Sequence, residues 1–357
     1  MAFEDIKNPI EDILDRAIEK QMFPGAVVGV VNGRGDRHIV ARGRQTYEPD
    51  ARDMHKNTVF DVASITKVLP TSTCALKAIE RGDLSLEDPI DRWIPEFASR
   101  YKELITVRHL LTHTVVHNFR LSSLKMQQPL QLLQSILSAE LAAEPGSRFF
   151  YSNTTSIVLG LVLERYFGCS LQKLACKEVL EPLQLKQTGF EPYTFSDDRN
   201  IVPTEIDPWR GGMVCGEVHD ESAWVLRRIM YPGSAGLFST VPDLLTFLGD
   251  MLCGALHDGS CLLKKGTIDK ISVNQIEDLG GCTGLGWELN QDRYMGRHHS
   301  ARTIGKTGFT GCVIMADLIK GMGIAFLANF TWPRRKNDPT LINSIRSEIA
   351  DTIFENS

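Results

Sequence analysis

Residues 60–69, Phe60-Asp61-Val62-Ala63-Ser64-Ile65-Thr66-Lys67-Val68-Leu69, put a hydroxyl and an amine three positions apart, at Ser64 and Lys67. If a helix begins near Ala63, positions i and i+3 share a face, and the Lys67 amine reaches the Ser64 oxygen. Val59-Phe60-Asp61-Val62 reads as strand or buried connector. Cys74-Ala75-Leu76-Lys77-Ala78-Ile79 then continues an apolar helical pattern that stops at Gly82. The pair therefore falls at a helix N-terminus against the core, where burial depresses a lysine pKa and the helix dipole favours a developing oxyanion. A lone Ser-x-x-Lys arises by chance as a solvated serine beside a surface lysine, so its meaning rests on partners elsewhere in the chain.

The chain around this stretch is 357 residues long, enough for one large domain or two lobes sharing a core. Its 43% hydrophobic and 23% charged residues are those of an ordinary globular protein. The net charge of −5 is well mixed and leaves no basic footprint for nucleic acid. Met1 to Pro9 has neither a positive n-region nor an apolar h-region, and no apolar run approaches about 18 residues. The expectation is a cytoplasmic protein without a membrane span, unless an export leader has been truncated. The eight cysteines are scattered without a Cys-x-x-Cys pair, which predicts reduced core thiols and no zinc or redox site.

Upstream of the serine, Ile10, Ile13, Leu14, Ala17 and Ile18 have helical spacing and Pro24-Gly25 stops the pattern. Residues 26–31 and 38–41 read as an antiparallel hairpin around Asn32-Gly33-Arg34-Gly35-Asp36; Gly33-x-Gly35 lacks the third glycine of a dinucleotide loop. Thr106 to Thr114 opens a helix with His109 and His113 at i and i+4. That spacing can hold a metal, but no acidic third ligand accompanies it, and a structural role is favoured. Gln128–Leu141 and Thr155–Tyr166 are helical in pattern, residues 200–235 look irregular and site-lining, and Ser239–Leu252 is a helix with Leu244, Leu245, Leu248 and Leu252 on one side. Residues 303–308, 312–317 and 323–329 form a strand meander, and Asp338-Pro339 caps a last helix. These elements predict an α/β (α+β) chain. An antiparallel sheet from both termini, 1–62 and 210–357, is flanked by helices. A mostly helical lobe, 63–209, is inserted, and a site lies in the cleft between the two.

Two further motifs supply the partners. Tyr151-Ser152-Asn153 offers a phenol and an amide before a helix, and Lys306-Thr307-Gly308 offers a cation on a strand edge followed by small residues. The chain order Ser-x-x-Lys, Tyr-x-Asn, Lys-Thr-Gly resembles the penicillin-recognising serine hydrolases, most closely class C β-lactamases, D-alanyl-D-alanine carboxypeptidases and their family VIII-type esterase relatives. The resemblance covers nearly the whole chain, including Ile105–Thr114, Trp209–Glu221, Ala235–Thr240 and Gly308–Gly311. It departs from the family after Thr114, where Val115-Val116-His117 replaces the usual Ser-Gly. It also departs from the esterase-like branch, many members of which carry histidine where Lys306 stands; lysine is what β-lactamases and carboxypeptidases use to hold a substrate carboxylate.

The resemblance implies a β-lactamase/transpeptidase-like fold with no cofactor and no metal. It further implies Ser64 as nucleophile, with Lys67 or Tyr151 as its base, and Lys306, Thr307 and Gly308 facing the substrate. The backbone N–H groups of Ser64 and Phe309 would form the oxyanion hole. Asn153 orients Lys67 or the acyl amide, or else caps the helix that follows. Several activities fit: an esterase on small acyl esters first, then a β-lactamase or D-Ala-D-Ala carboxypeptidase, a transacylase or D-aminopeptidase, and a non-catalytic scaffold against which the intact Ser64, Lys67 and Tyr151 weigh. The expected partner is a small-molecule acyl substrate, and the oligomeric state is open.

Overall fold

The strands are β1 (Gly25–Asn32), β2 (Arg37–Gly43), β3 (Phe60–Asp61), β4 (Glu205–Asp207), β5 (Gly212–Val214), β6 (Phe238–Ser239), β7 (Glu288–Leu289), β8 (Thr303–Thr307), β9 (Val313–Asp317) and β10 (Met322–Ala328). They belong to a computed structural model that describes residues 3–256, 261–336, 338–355 and 357. Six of the strands make one sheet in the order β2-β1-β10-β9-β8-β7, antiparallel throughout. The expected hairpin pairs Val28 with Val40, and the meander pairs Gly305 with Met315 and Ala325 with Ile314. The sheet thus joins strands from both ends of the chain.

Both faces of this sheet are covered, which is why β1 reads as an unbroken apolar run. Successive side chains point to opposite faces. Val28 and Val30 join Ile6, Ile10, Ile349 and Ile353 from the first and last helices, Phe3–Glu19 and Pro339–Glu355. Val27 and Val31 join Leu244, Leu245 and Leu248 from the helix Val241–Leu256 on the other face. Gly29 lets that helix come close, since a Cβ there would lie 2.3 Å from Val241 Cγ1. The Asp338 carboxylate accepts the Thr340 amide at 2.9 Å and opens the last helix as the Asp-Pro signal predicts.

The segment between β3 and β6 carries helices Thr73–Arg81, Val107–Leu111, Pro129–Ser138, Asn153–Phe167 and Leu171–Ala175. Among the described residues no helix is long and apolar enough to cross a membrane.

Three local expectations need correction. The serine does not open an α-helix near Ala63. Ala63–Lys67 is a 3₁₀ turn, Val68–Ser72 a wide π turn, and α-helix begins at Thr73. Pro70 is the cause: it has no N–H to donate and disfavours helical geometry in the residue before it, and Leu69 accordingly sits at φ −117°, ψ 106°. The segment 200–235 is not wholly irregular, because β4 and β5 pair through Ile206 and Met213 and Glu221–Leu226 is helical. Finally, the helix Val107–Leu111 ends before His113, whose φ is +56°, so the two histidines do not share a helical face.

Candidate active site

The serine turn is held from several directions. Asp61, almost fully buried, accepts the Ala63 amide at 2.7 Å with one carboxylate oxygen and the His219 amide at 2.6 Å with the other. Thr310 Oγ1 donates to the Asp61 carbonyl at 2.8 Å, and the Leu237 amide donates to Thr66 Oγ1 at 3.1 Å. Ala63 takes φ +47°, a left-handed conformation costly for a residue with a Cβ and one that concentrates at functional sites. The sequence reading missed Asp61 as a clamp. Its place two residues before the turn, amid apolar residues, was the available signal.

Ser64 Oγ lies 2.9 Å from Lys67 Nζ, and that nitrogen also donates to the Ser234 carbonyl at 2.8 Å. Lys67 is 2% exposed. Desolvation is the strongest influence on it and pulls its pKa below the ordinary lysine value; the Lys306 charge adds to this, while Tyr151 opposes it. Lys306, 1% exposed at the C-terminal part of β8, behaves oppositely. Desolvation works to lower it too, but the Glu288 carboxylate, 3.0 Å away on β7, outweighs burial and raises its pKa.

Tyr151 stands between the two lysines, with Lys67 Nζ 5.3 Å and Lys306 Nζ 4.1 Å from its ring centroid. Desolvation would raise the phenol, but the charges of Lys306 and Lys67 prevail and hold it below the ordinary tyrosine value. Four residues from three distant motifs thus form one hydrogen-bonding and electrostatic unit: a hydroxyl beside a depressed amine, and a depressed phenol beside a fixed cation. Such a unit can deprotonate the hydroxyl and return a proton to a leaving group.

A cavity of about 470 Å³ opens over this unit and is lined by Ser64, Tyr151, Asn153, Thr307, Gly308 and Phe309 among others. A smaller one of about 140 Å³ meets it at Ser64, with His219, Asp220, Phe309 and Arg335 in its wall. Gly308 must be glycine, since a Cβ there would lie 2.5 Å from the Val62 carbonyl and force the end of β8 away from the serine turn. Phe309 stacks on His219 at 5.6 Å between ring centroids, and His219 Nε2 meets Glu205 at 2.9 Å. Desolvation would raise Glu205, but hydrogen bonds from His219 and Arg335 hold it at about 2.

Asn153 is not the helix cap. Ser152 is, accepting the Thr154 amide, while Asn153 Nδ2 donates to Asp220 Oδ2 at 2.8 Å. The divergent Val115-Val116-His117 packs inward, with His117 Nδ1 3.1 Å from Thr154 Oγ1. His109 Nδ1 accepts the Thr106 amide and completes a capping box, while His113 Nδ1 lies 2.6 Å from Thr155 Oγ1 with its ring 4.8 Å from that of Tyr151. Both serve structure, and among the described residues no group of three or more His, Cys, Asp or Glu is arranged to hold a metal. Glu288 and Asp220 were also missed, because what each meets is set by cross-strand and loop pairing that no local pattern reveals.

The fold that carries this geometry is shared with solved structures. EstCE1, described as a hydrolase with promiscuous acyltransferase activity, matches with a TM-score of 0.75 over 98% of this chain and 99% of its own at 21% identity. A LovD6 mutant of the simvastatin synthase of Aspergillus terreus matches with a TM-score of 0.74 over 99% of this chain and 98% of its own at 19% identity. The fold is the β-lactamase/transpeptidase-like one. The chain belongs to the β-lactamase family of serine hydrolases, since the family model described as Beta-lactamase matches residues 10–346. A putative D-alanyl-D-alanine carboxypeptidase of Escherichia coli strain K12 is 29% identical over 302 residues, 76% of this chain and 69% of the relative.

Proposed function

We propose that this hydrolase forms an acyl-enzyme on Ser64 and acts on small acyl esters. The observation that carries the reading is the pairing of Lys306 with Glu288. A lysine that holds a substrate carboxylate must offer its charge to the cleft, whereas this one is 1% exposed and already faces a buried carboxylate at 3.0 Å. It acts on Tyr151 instead. The site therefore favours an acyl donor without a carboxylate at that position.

In this reading neutral Lys67 takes the Ser64 proton, and Oγ attacks the ester carbonyl. The oxyanion is held by the backbone N–H groups of Ser64 and Phe309, each such donor being worth about 10²–10³ in rate. The C–O bond to the leaving alcohol breaks as the alkoxide receives a proton from Tyr151, which Lys67 restores. Water then enters, loses a proton by the same route and releases the acid. Thr307 and Gly308 border the substrate, and Asn153 meets its acyl side. The site falls where an α/β lobe of residues 1–62 and 210–357 meets a helical lobe of 63–209, and that division belongs to the same proposal.

A second reading, a β-lactamase or D-Ala-D-Ala carboxypeptidase, is favoured by the lysine at 306 and by the description of the Escherichia coli relative. Intact-protein mass and initial rates with p-nitrophenyl butyrate and with a penicillin, for the wild type and Ser64→Ala, separate the two. Fast ester turnover with a slow or trapped penicillin adduct on the wild type alone supports the esterase. Fast penicillin turnover supports the second reading, and ester turnover that survives in Ser64→Ala overturns both.

A further inference from the structure

Asp220 lines both cavities that reach Ser64, and it differs from the acids around it. Glu205 is paired with Arg335 at 2.6 Å, Glu221 with Arg335 at 2.8 Å, and Asp207 with Arg210 at 3.5 Å. Among the described residues Asp220 has no cation within ion-pair distance, and its hydrogen-bond partners are neutral. Oδ1 accepts Ser222 Oγ at 2.6 Å and the Ala223 amide at 2.8 Å, which fixes the side chain as the cap of helix Glu221–Leu226. Oδ2 accepts Asn153 Nδ2 at 2.8 Å. A carboxylate offers about four lone-pair positions, so three are filled and one remains, on the cleft side with Asn153. The group is a held, negatively charged acceptor in the wall of the space that an acyl chain on Ser64 occupies.

We propose that Asp220 is a specificity-determining residue that receives a protonated amine on the acyl part of the substrate, so that the preferred donors are esters of small amino acids with a free amino group. This rests on the serine-hydrolase reading and deepens it. An ammonium placed there supplies a cation at ion-pair distance, where Lys67 acts on Asp220 only from farther off, and fills the last acceptor position. An N-acylated or purely aliphatic donor leaves the carboxylate desolvated and unpaired, an arrangement that discriminates more strongly than an apolar pocket does.

The test compares D- and L-alanine methyl esters with their N-acetyl derivatives and methyl butyrate, all releasing methanol, at about pH 7, where an α-amino group is mostly protonated. The expected result is that the wild type prefers one free-amine ester over its N-acetyl partner by about 10-fold or more in kcat/KM, and that Asp220→Asn brings the ratio towards one. A wild-type ratio near one overturns the proposal without any variant. Asp220→Asn lowering all the esters by one common factor also overturns it, since that is the mark of a residue that only holds Asn153 or the helix. Turnover that persists in Ser64→Ala points instead to failure of the serine-hydrolase reading, so the two failures are told apart.

Discussion

Two lysines approach the Tyr151 ring from two regions of the fold, and they have opposite fates. At the serine turn, Lys67 is buried against a hydroxyl and a carbonyl, and its pKa falls. Near the C-terminal end of β8, Lys306 is buried as deeply against Glu288, and its pKa rises. Burial is common to both, so the counter-ion decides. Desolvation penalises the charged form of any amine, and only a nearby opposite charge reverses the sign. One lysine is thereby suited to accept a proton and the other to remain a fixed cation.

The largest expected effect breaks or upholds this division of labour. Lys67→Met should lower kcat/KM for p-nitrophenyl butyrate by about 10³–10⁴, as loss of a base beside a nucleophile does. Lys306→Met should cost about 10²-fold, because it removes electrostatic support from Tyr151 and Lys67 but leaves the proton acceptor in place. Equal losses in the two variants would contradict the assignment. The same pair of enzymes sharpens the point through pH. Activity requires neutral Lys67, so kcat/KM rises with pH through a pKa below that of free lysine. The Lys306 charge helps to depress Lys67, so in Lys306→Met this limb should move to higher pH; an unmoved limb would assign it to another group.

Next comes Glu288, which makes the two lysines different. Its carboxylate accepts Lys306 Nζ at 3.0 Å and the Tyr294 hydroxyl at 2.9 Å. Glu288→Gln leaves a buried ammonium uncompensated and should cost about 3–5 kcal/mol in urea unfolding. Lys306, its folded pKa raised, contributes stability that is full below its unfolded pKa and lost as pH rises through the folded one. Glu288 is subject to desolvation that would raise it, but Lys306 prevails and holds it below the ordinary value. Its contribution is therefore present above the unfolded pKa and lost as pH falls through the folded one. The variant should lack both limbs, and a wild-type-like stability profile would argue against the pair.

How much of this was readable beforehand differs between the same two regions. The sheet was legible because β1, β9 and β10 are near-continuous apolar runs, which require cover on both faces, and because glycine and polar turns mark their ends, while β8 reads as a strand from its place in the meander. Ser64, Lys67, Tyr151 and Lys306 stood out as motif residues, and the fold brings them together. The 3₁₀ and π turns after Ser64 were not read, although Leu69-Pro70 carried the signal: a proline six residues past the serine forbids the straight helix that the apolar spacing suggests. Glu288 was not legible, because a charge between Trp287 and Leu289 has meaning only once the register sets Glu288 opposite Gly305, beside Lys306. Asp220 lay in text whose pairing of β4 with β5 is interrupted by proline and glycine, which hides short strands.

The smallest expected effect extends the contrast to protons. The flank of the site nearest Lys67 and Tyr151 buries two histidines in neutral form. Desolvation holds His113 well below the ordinary value, reinforced by the charges of Lys306 and Lys67, and holds His117 at about 4. In the unfolded chain both take up a proton near pH 6.5. Between that pH and about 4 the unfolded state binds more protons, so stability should fall as pH falls through this window and then level off for His117. The share of His117 is about 3 kcal/mol by the pKa difference. Its ring packs edge-on against Phe97 and Phe119 at 6.1 and 5.4 Å, so phenylalanine keeps an aromatic ring among these neighbours and forgoes the hydrogen bond to Thr154. His117→Phe should therefore lose about 1 kcal/mol at pH 7 yet unfold with a shallower pH dependence between 6.5 and 4, the remainder belonging to His113. Urea titrations at pH 7 and pH 5 measure the difference. An unchanged slope would mean that His117 is not held neutral, and the proton-excluding character of that flank would then rest on His113 and Lys67 alone.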